Sequence, residues 1–338
     1  MNYNGGKYLQ PTLDYLQAQT RPADEVIIVD NASTDGSADS LNLDKLPQAR
    51  LRRLDKNVGF AKANNVAAEK AHGNWLALLN PDTEAFPDWL EKLEAAIHRY
   101  PEVSMFASAQ IDAVDRSIMD GAGDNYHVLG IPWRGGFGRP ISEMPAEGEC
   151  FSPCGASALF RKSTFLEAGG FDESYFCYCE DVDLGFRLRL RGERCMFIPD
   201  AVIHHHGSAI SGRKSEFTIR LGTRNRLRTY LTSMPTIALA ATFPVHLLAN
   251  LYLYGRAIGK PYAKAIRHGT SEALGMLPEI RATRRRVQRT RTVSTIDLLK
   301  QMSWNPATLH GRKVHVRPYR AKRLEQDISD PPNKKPDR

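Results

Sequence analysis

Three short segments of the chain carry side chains whose types and spacing could do chemistry: "NPD" at 80–82, "EDVD" at 180–183 and "HHH" at 204–206. Asp82 ends an apolar run and follows a proline that stiffens the turn, which suits a hard divalent cation. Mg²⁺ or Mn²⁺ held there would bridge the carboxylate to a diphosphate. An Asx turn capping the next helix fits Asp82 in isolation about equally well.

The histidine triplet follows a short β-like run in "PDAVIHHHGSAISG" (199–212). If this run is a strand, side-chain alternation directs His205 to the opposite face from His204 and His206. A triplet at a strand end favours a ligand or a phosphate contact. A histidine simply packed in the core is the competing interpretation.

Glu180, Asp181 and Asp183 gather where a short apolar segment gives way to a helical pattern. Taken alone, the stretch predicts a helix with acid in its first turn and base in its last, which suits the helix dipole. Asp183 and Arg187 would then form an i,i+4 pair of little worth at a surface. The stretch by itself therefore does not require a chemical role.

Alternating strand and helix patterns over the first 110 residues predict an α/β fold, with a mostly parallel central sheet and helices on both faces. In such sheets ligands bind beyond the carboxyl ends of the strands, where Asp30 and Asp82 stand. Residues 112–150 are rich in Gly and Pro and are predicted to be long loops. The predicted strands are 25–30, 49–55, 74–80 and 102–110, and the predicted helices are 58–73, ending at Gly73, and 87–101.

Charge divides the 338-residue chain in two. Residues 1–211 hold 20 Lys/Arg against 30 Asp/Glu, whereas residues 212–338 hold 26 against 8. This split predicts an acidic catalytic body and a basic region that faces an anionic partner. The basic run at 281–293 lacks the aromatic interleaving of nucleic-acid modules, so a phospholipid surface is favoured and nucleic acid is not.

A stretch of 27 residues, Thr229 to Gly255, contains no Asp, Glu, Lys or Arg. Pro235, Pro244, His246 and Asn250 argue against a clean membrane span, so an interfacial or re-entrant helix over 229–258 is favoured. A true span and a soluble helical subdomain are the alternatives. The first residues form no apolar signal segment, and the five cysteines lack paired zinc spacing, which favours reduced thiols in a cytosolic protein. Together with the apolar and basic segments this predicts a position on the cytoplasmic face of the inner membrane.

Several motifs in order resemble those of one family over about residues 1–230. They are "NYNGG", "VIIVDNASTDGS", "NVGFAKANN", "LLNPDTE", "CGASALFRKSTFLEAGGFDESYF", "EDVDLGFRLRLRG" and "HHHGSA". With these motifs the chain is identified as a family-2 glycosyltransferase of the GT-A fold, similar to its bacterial rhamnosyltransferase-like branch.

The resemblance implies a role for each matching position. Asp82 would be the main metal ligand, since Asn80 replaces the first acid of the family's motif, and His205 would lie near the metal and the diphosphate. Of the acidic pair, Asp181 would be the catalytic base and Glu180 would orient it or the acceptor. The residues that would bind the nucleotide sugar are Tyr3, Asn4, Asp30, Gly59, Ala61, Asn64 and Asn80.

The activity implied is inverting, Mg²⁺- or Mn²⁺-dependent transfer of a sugar, with L-rhamnose from dTDP-rhamnose favoured. The acceptor would be a glycan or a lipid-linked acceptor in cell-surface polysaccharide synthesis. The implied division is a GT-A domain at 1–228, the apolar segment at 229–258, a basic helical region at 259–325 and a disordered tail at 326–338.

One departure from the family concerns the N-terminus, because only Met1 and Asn2 precede the "YN" loop where family members have an apolar strand. A central strand is thus expected to be missing, leaving unpaired backbone groups in the sheet. The alternative function is a non-catalytic nucleotide-sugar-binding or assembly protein, disabled by that truncation.

Overall fold

The computed structural model of the chain describes residues 1–207 and 215–320. Its strands are β1 Val26–Asp30, β2 Ala49–Arg53, β3 Trp75–Leu79, β4 Thr83–Ala85, β5 Met105–Asp112, β6 Met119–Ala122, β7 Asp124–His127, β8 Ile131–Arg134, β9 Gly148–Glu149, β10 Ser157–Arg161 and β11 Cys195–His205. Its helices are α1 Leu9–Gln17, α2 Gly59–Lys70, α3 Trp89–Arg99, α4 Lys162–Glu167, α5 Glu180–Leu190, α6 Glu216–Ser233, α7 Thr236–Ala257, α8 Ala263–Gly275, α9 Leu277–Arg289 and α10 Thr295–Leu299.

The central sheet is mixed rather than mostly parallel. Its strands lie in the order β3-β10-β5-β11-β4, with β6 added to β5 and β9 added to β11. β5 and β11 are parallel, as are β1 and β2 in a separate two-stranded sheet, whereas β10 runs antiparallel to both of its neighbours. An apolar run predicts a buried strand but not whether it is parallel or antiparallel to its neighbours. The antiparallel direction of β10 could therefore not be predicted from the sequence pattern.

The prediction of long loops over 112–150 is wrong. This segment contributes β6, β7 and β8, and every residue of β6 and β7 is buried. The glycines that suggested loops instead allow close packing, since a Cβ on Gly121 would lie 2.6 Å from the side chain of Arg134. Composition misled because small residues serve both turns and tightly packed strands.

The C-terminal helices pack on α5 and on the two-stranded sheet β7-β8. Tyr126 of β7, Phe186 of α5 and Tyr230 of α6 belong to one buried apolar cluster. α6 runs through the boundary predicted at residue 228. At the C-terminal end of α6, the guanidinium of Arg284 of α9 donates to the carbonyl of Met234 at 2.6 Å.

The last described segment returns to the sheet. Val314 and Val316 pack against its central cluster, and Arg317 bridges Glu149 of β9. The predicted disordered tail at 326–338 lies outside the described residues.

A slot separates β1 from β3. Among the described strands, β1 pairs only with β2 and β3 pairs only with β10. A cavity of about 440 Å³ lies between their free edges and is lined by residues 26–29 and 75–79. At one end Asn2 pairs with β1 in parallel, donating its N–H to the Val29 carbonyl at 2.7 Å and accepting from the Asn31 N–H at 2.8 Å. The chain ahead of Asn2 therefore points along the slot.

A strand added ahead of Met1 is expected to stabilise the protein. Five or six Val and Ile residues would fill the slot, each buried side chain contributing about 1.5–3 kcal/mol against about 1–2 kcal/mol per residue for ordering the backbone. Ladder hydrogen bonds to both edges add to this, so we expect a net gain of about 3 kcal/mol and a rise in Tm of roughly 5–10 °C. Calorimetry measures the rise. A Gly/Ser extension of equal length is the control, and equal Tm values for the two extended proteins would contradict the prediction.

Candidate active site

Asp82 and His205 meet where β4 and β11 pair. The antiparallel register places His205 opposite Thr83, one residue after Asp82. Nε2 of His205 lies 3.4 Å from Oδ1 of Asp82, and Nδ1 lies 2.7 Å from Oδ2 of Asp120 on β6. All three side chains are buried. The structure thus brings the two predicted metal ligands together and adds a second carboxylate.

The predicted alternation of the histidine triplet is confirmed. His204 and His206 both lie against Glu84, with nearest nitrogen–oxygen distances of 3.4 and 2.9 Å. His205 points to the opposite face and reaches Asp82 and Asp120.

The Asp82–His205 pair fits a divalent cation. Nε2 of His205 is buried without a hydrogen-bond partner among the described residues, since 3.4 Å is long for a hydrogen bond to Asp82. Asp120 holds the other ring nitrogen and so fixes the direction of Nε2, as carboxylates behind metal-binding histidines do. Burial disfavours the imidazolium, but the hydrogen bond to Asp120 and the negative charges of Asp120 and Asp82 outweigh it and raise the pKa of His205 to about 9. A bound cation would take the place of that proton.

The three acids of α5 have different surroundings. Asp183 is buried, accepting from Nε of Arg187 at 2.7 Å and from the hydroxyl of Tyr175 at 3.0 Å. The pair expected at a surface is therefore an interior one. Glu180 is also buried, and its Oε2 has no hydrogen-bond partner among the described residues. Asp181 is half-buried, and its two oxygens accept from the backbone N–H groups of Gly155 and Val182, both at 2.8 Å.

Electrostatics separates Asp181 from its neighbours. Burial, reinforced by the charge of Asp181, raises the pKa of Glu180 well above its usual range. The same two causes raise the pKa of the buried Asp124 on β7. The raised pKa values of Glu180 and Asp124 favour the neutral form of both carboxyl groups. Asp181, which lies beside them, is the partly exposed one of the three.

A second group of potential metal ligands surrounds Asp181. Ligand atoms of Asp124, Cys154 and Asp181 all lie within 4.8 Å of one another. Two features oppose a cation there. Burial raises the pKa of the Cys154 thiol, which favours its protonated form, and the Arg134 guanidinium lies close enough to interact with all three groups. The Asp82–His205 pair is therefore the better cation site.

Arg134 also connects the two halves of the site. Its guanidinium forms an ion pair with Asp120, which holds His205. Burial opposes the charge of Arg134, yet the neighbouring Cys154, Asp120, Asp124 and Asp181 raise its pKa above the ordinary value. A continuous set of charged side chains thus runs from the Asp82–His205 pair to Asp181.

Six of the seven predicted nucleotide-binding residues fall into two groups. The first loop meets the end of β1: the Asn4 N–H donates to Ser33 Oγ at 2.9 Å, and Asp30 accepts from Ser33 Oγ at 2.5 Å and from Asn2 Nδ2 at 2.9 Å. Tyr3 lies beside them in the chain and is half-buried. Asp30 is itself buried, so its carboxylate orders the loop.

Gly59, Ala61 and Asn64 form the second group, in the first two turns of α2. The side-chain amide of Asn64 donates to the Phe60 carbonyl, one turn earlier in the helix, at 2.9 Å. Asn80 lies apart from both groups, between β3 and β4, where its N–H donates to the Ala156 carbonyl at 2.9 Å.

A strained turn connects the start of α2 to the segment that carries Asp181. Phe176, Tyr178 and Cys179 have φ of 64°, 71° and 63°, each costing a non-glycine residue about 1–2 kcal/mol. The Phe176 carbonyl accepts from the Ala61 N–H at 3.2 Å. Gly59, at φ +85°, leaves room for it, because a Cβ there would lie 2.5 Å from that carbonyl oxygen.

Five further residues of the site were not predicted from the sequence. Asp120, Asp124 and Arg134 lie in the segment that resembled loops, where two acids among small residues in "MDGAGD" were the available signal. Cys154 stands in the "CGAS" motif, and Asn225 of α6 contacts the strained turn without any local signal. Their roles come from contacts between residues far apart in the chain, such as Asp120 with His205 across 85 positions.

The amino-acid sequence is similar to a family model and to curated proteins. Residues 1–166 match the family model described as "Glycosyl transferase family 2". The chain is 30% identical over 237 residues to an N-acetylglucosaminyl-diphospho-decaprenol L-rhamnosyltransferase of Mycobacterium tuberculosis, covering 63% of this chain and 76% of that protein. It is 28% identical over 212 residues to rhamnosyltransferase WbbL of Escherichia coli, covering 57% and 76%.

Solved structures resemble the fold at low sequence identity. S. aureus TarS 1-349 aligns with a TM-score of 0.54 at 16% identity, covering 88% of this chain and 87% of that one. GalNAc-T7 with UDP, GalNAc and Mn²⁺ aligns with a TM-score of 0.56 at 15% identity, covering 80% and 55%. At these identities the likeness concerns the arrangement of strands and helices.

Proposed function

Because the chain belongs to glycosyl transferase family 2, within its rhamnosyltransferase-like members, and has the GT-A fold, we propose that it is an inverting, metal-dependent rhamnosyltransferase. The named relatives support glycosyl transfer in polysaccharide synthesis. The inverting mechanism rests on one observation, the half-buried Asp181 carboxylate held by two backbone N–H groups, beside Glu180, whose pKa is raised by burial.

Asp181 acts as the base of the proposed reaction. The acceptor hydroxyl oxygen bonds to the anomeric carbon from the face opposite the nucleoside diphosphate, while the bond to that diphosphate breaks, so the configuration inverts. The hydroxyl proton passes to a carboxylate oxygen of Asp181 as the carbon goes through an oxocarbenium-like state. The hydrogen bonds from Gly155 and Val182 hold the carboxylate in place without adding a proton.

Asp82 and His205 would hold the cation, and Asp120 fixes the ring of His205 for that purpose. When bound, Mg²⁺ or Mn²⁺ would neutralise the charge that grows on the departing diphosphate. Arg134, paired with Asp120, adds a fixed positive charge between this pair and Asp181. We assign the nucleotide to the loops that carry Asn4 and Asp30 and to the start of α2.

A panel of donors tests the assignment. The purified protein is incubated with Mn²⁺, a diphosphoprenol-linked N-acetylglucosamine acceptor and, in turn, dTDP-L-rhamnose, UDP-glucose, UDP-N-acetylglucosamine or GDP-mannose. We expect transfer from dTDP-L-rhamnose and dTDP release in equal amounts. Transfer of another sugar would change the donor and keep the activity. Tight binding of dTDP with no transfer from any donor would favour the non-catalytic alternative.

The apolar segment of the chain forms α7, the one helix among the described residues that is long and apolar enough to cross a membrane. The distribution of its polar and apolar side chains is the reverse of that in a helix on the surface of a soluble protein. Thr242, His246 and Asn250 face inward, bonding the hydroxyl of Tyr230, the carbonyl of Leu129 and the guanidinium of Arg226 at 2.6–2.7 Å. Its large apolar side chains are exposed instead: Ile237, Phe243, Val245, Leu247, Leu248, Leu251, Tyr252 and Leu253.

We assign this outward face of α7 to an anionic membrane surface on the cytoplasmic side. Exposed basic residues follow it directly, at Arg256, Lys260, Lys264 and Arg267. An apolar helix flanked by such charges suits the boundary between acyl chains and anionic headgroups. The proposed division is then a catalytic domain at 1–228, a membrane-facing segment at 229–258 and a basic region from 259.

The double variant Leu248→Glu/Leu251→Glu is expected to detach the protein from membranes. The two leucines are 65% and 56% exposed, so the change should leave the fold intact while removing about 3–6 kcal/mol of apolar transfer, over a hundredfold in partitioning. Sedimentation with liposomes containing anionic lipid, at low salt, measures the bound fraction. Val114→Glu/Ile296→Glu, at positions 85% and 67% exposed, is the matched control. A native protein that stays in the supernatant would rule out the membrane assignment.

A further inference from the structure

The strained turn that leads into α5 is held from the side by α6. Phe176 has φ 64° and ψ −62°, and the Cys177 N–H donates to the Tyr175 carbonyl at 2.7 Å, which makes a γ-turn. Cys179, in the left-handed region, then accepts from the Asp183 N–H at 2.9 Å and starts the helix. Backbone in these states relaxes unless its surroundings hold it.

Asn225 of α6 supplies a large part of that hold. Its side chain is fully buried, and Nδ2 lies 3.0, 2.8 and 2.8 Å from the carbonyl oxygens of Tyr175, Cys177 and Tyr178. An amide group carries two hydrogens, so one of the three contacts is shared. Nε of Arg224 donates to Asn225 Oδ1 at 2.8 Å, which fixes the orientation of the amide.

The three carbonyls belong to the turn immediately ahead of Glu180 and Asp181, so their position sets where α5 begins. The first turn of α5 in turn sets the direction of Asp181 towards the Gly155 N–H. A displacement of about 1 Å at a reacting group can cost a hundredfold in rate. The side chain of Asn225 itself contacts backbone carbonyls of the turn rather than Asp181.

We propose that Asn225 is a positioning residue for Asp181, a role that rests on Asp181 being the base of the proposed function. Its amide holds the Tyr175–Tyr178 turn in a conformation that the chain would otherwise leave, and so keeps the carboxylate in line with the acceptor hydroxyl. No bond is made or broken at Asn225. The side chain of Asn225 touches neither the loops at Asn4 and Asp30 nor α2 directly, so we expect donor affinity to change less than turnover.

The experiment compares Asn225→Ala with Asn65→Ala. Asn65 is a buried asparagine of α2 that also bonds backbone of a loop, donating to the Phe171 carbonyl at 2.8 Å and accepting from the Phe171 N–H at 2.9 Å. We expect Asn225→Ala to lower kcat at least about tenfold with donor KM changed less than about twofold. Asn65→Ala, at a similar loss of Tm, should keep kcat within about threefold.

Two further readouts separate positioning from general damage. In the Asp181→Asn background, Asn225→Ala should lower the residual turnover no further, because the group that it positions is gone. Hydrogen exchange of peptides covering 176–183 should quicken in Asn225→Ala and stay unchanged in Asn65→Ala.

Unchanged exchange at 176–183 in Asn225→Ala would overturn the proposal whatever the activity. An equal loss of kcat and donor affinity, or an undiminished effect in the Asp181→Asn background, would also overturn it. A native protein that transfers no sugar would instead refute the proposed function, while the exchange measurement would still decide whether Asn225 holds the turn.

Discussion

Asp181→Asn is expected to lower turnover at least about a hundredfold while nearly preserving the affinity for the nucleoside diphosphate sugar. The amide keeps the shape of the side chain and can still accept the N–H of Gly155 or Val182 through its one oxygen. It cannot take the proton of the acceptor hydroxyl. Single-turnover rates and calorimetric titration with the donor measure the two quantities separately.

Glu180→Gln is the matched control for that substitution. Glu180 is buried and its pKa is raised by burial and by Asp181, so an uncharged amide of the same length replaces a carboxyl group already favoured in its neutral form. We expect a much smaller loss of turnover than for Asp181→Asn. If Asp181→Asn kept near-native turnover while Glu180→Gln lost it, the base would have to be Glu180.

Asp82→Ala should weaken the metal-supported binding of the nucleoside diphosphate by about 10–100-fold, because the proposed cation loses its carboxylate. His205→Ala should have a milder effect, since Asp82 would remain. Titration of dTDP in the presence and absence of Mn²⁺ measures the difference that the metal makes.

Glu84→Ala provides the comparison for this prediction. Glu84 is also an acid beside the histidine triplet, but it contacts His204 and His206 rather than His205. Metal-supported binding should therefore survive in this variant. Native protein that binds dTDP equally with and without Mn²⁺ would show that the Asp82–His205 pair serves another purpose.

Local sequence patterns predicted the parts of the fold that depend on neighbours in the chain. The run at 25–30 forms β1, and the helical pattern at 87–101 forms α3, because each buries one continuous set of side chains. The alternation of His205 with its neighbours followed from the two-residue period of a strand. Helix ends were less accurate, since α2 stops at Lys70 instead of reaching Gly73.

The remaining features depend on partners distant in sequence. Nothing local to Asp120 indicates that it faces His205, and nothing local to Asn225 indicates three carbonyls near residue 177. The family motifs identified Asp82, Asp181 and His205 as single residues. Their relative placement, and the separate surroundings of Glu180 and Asp181, came from tertiary packing that overrides local signals.

The return of residues 314–319 to the sheet has a consequence for how the chain matures on the ribosome. A Cβ at Gly148 would lie 2.4 Å from the carbonyl oxygen of Arg317, and Glu149, beside it, bonds the Arg317 backbone in both directions. Synthesis proceeds from the N-terminus, so β9 stays without this neighbour until residue 317 leaves the exit tunnel. Completion of this edge of the sheet thus waits until residue 317 has emerged from the tunnel. A nascent chain stalled before that point would display an unfinished edge, open to chaperones and proteases.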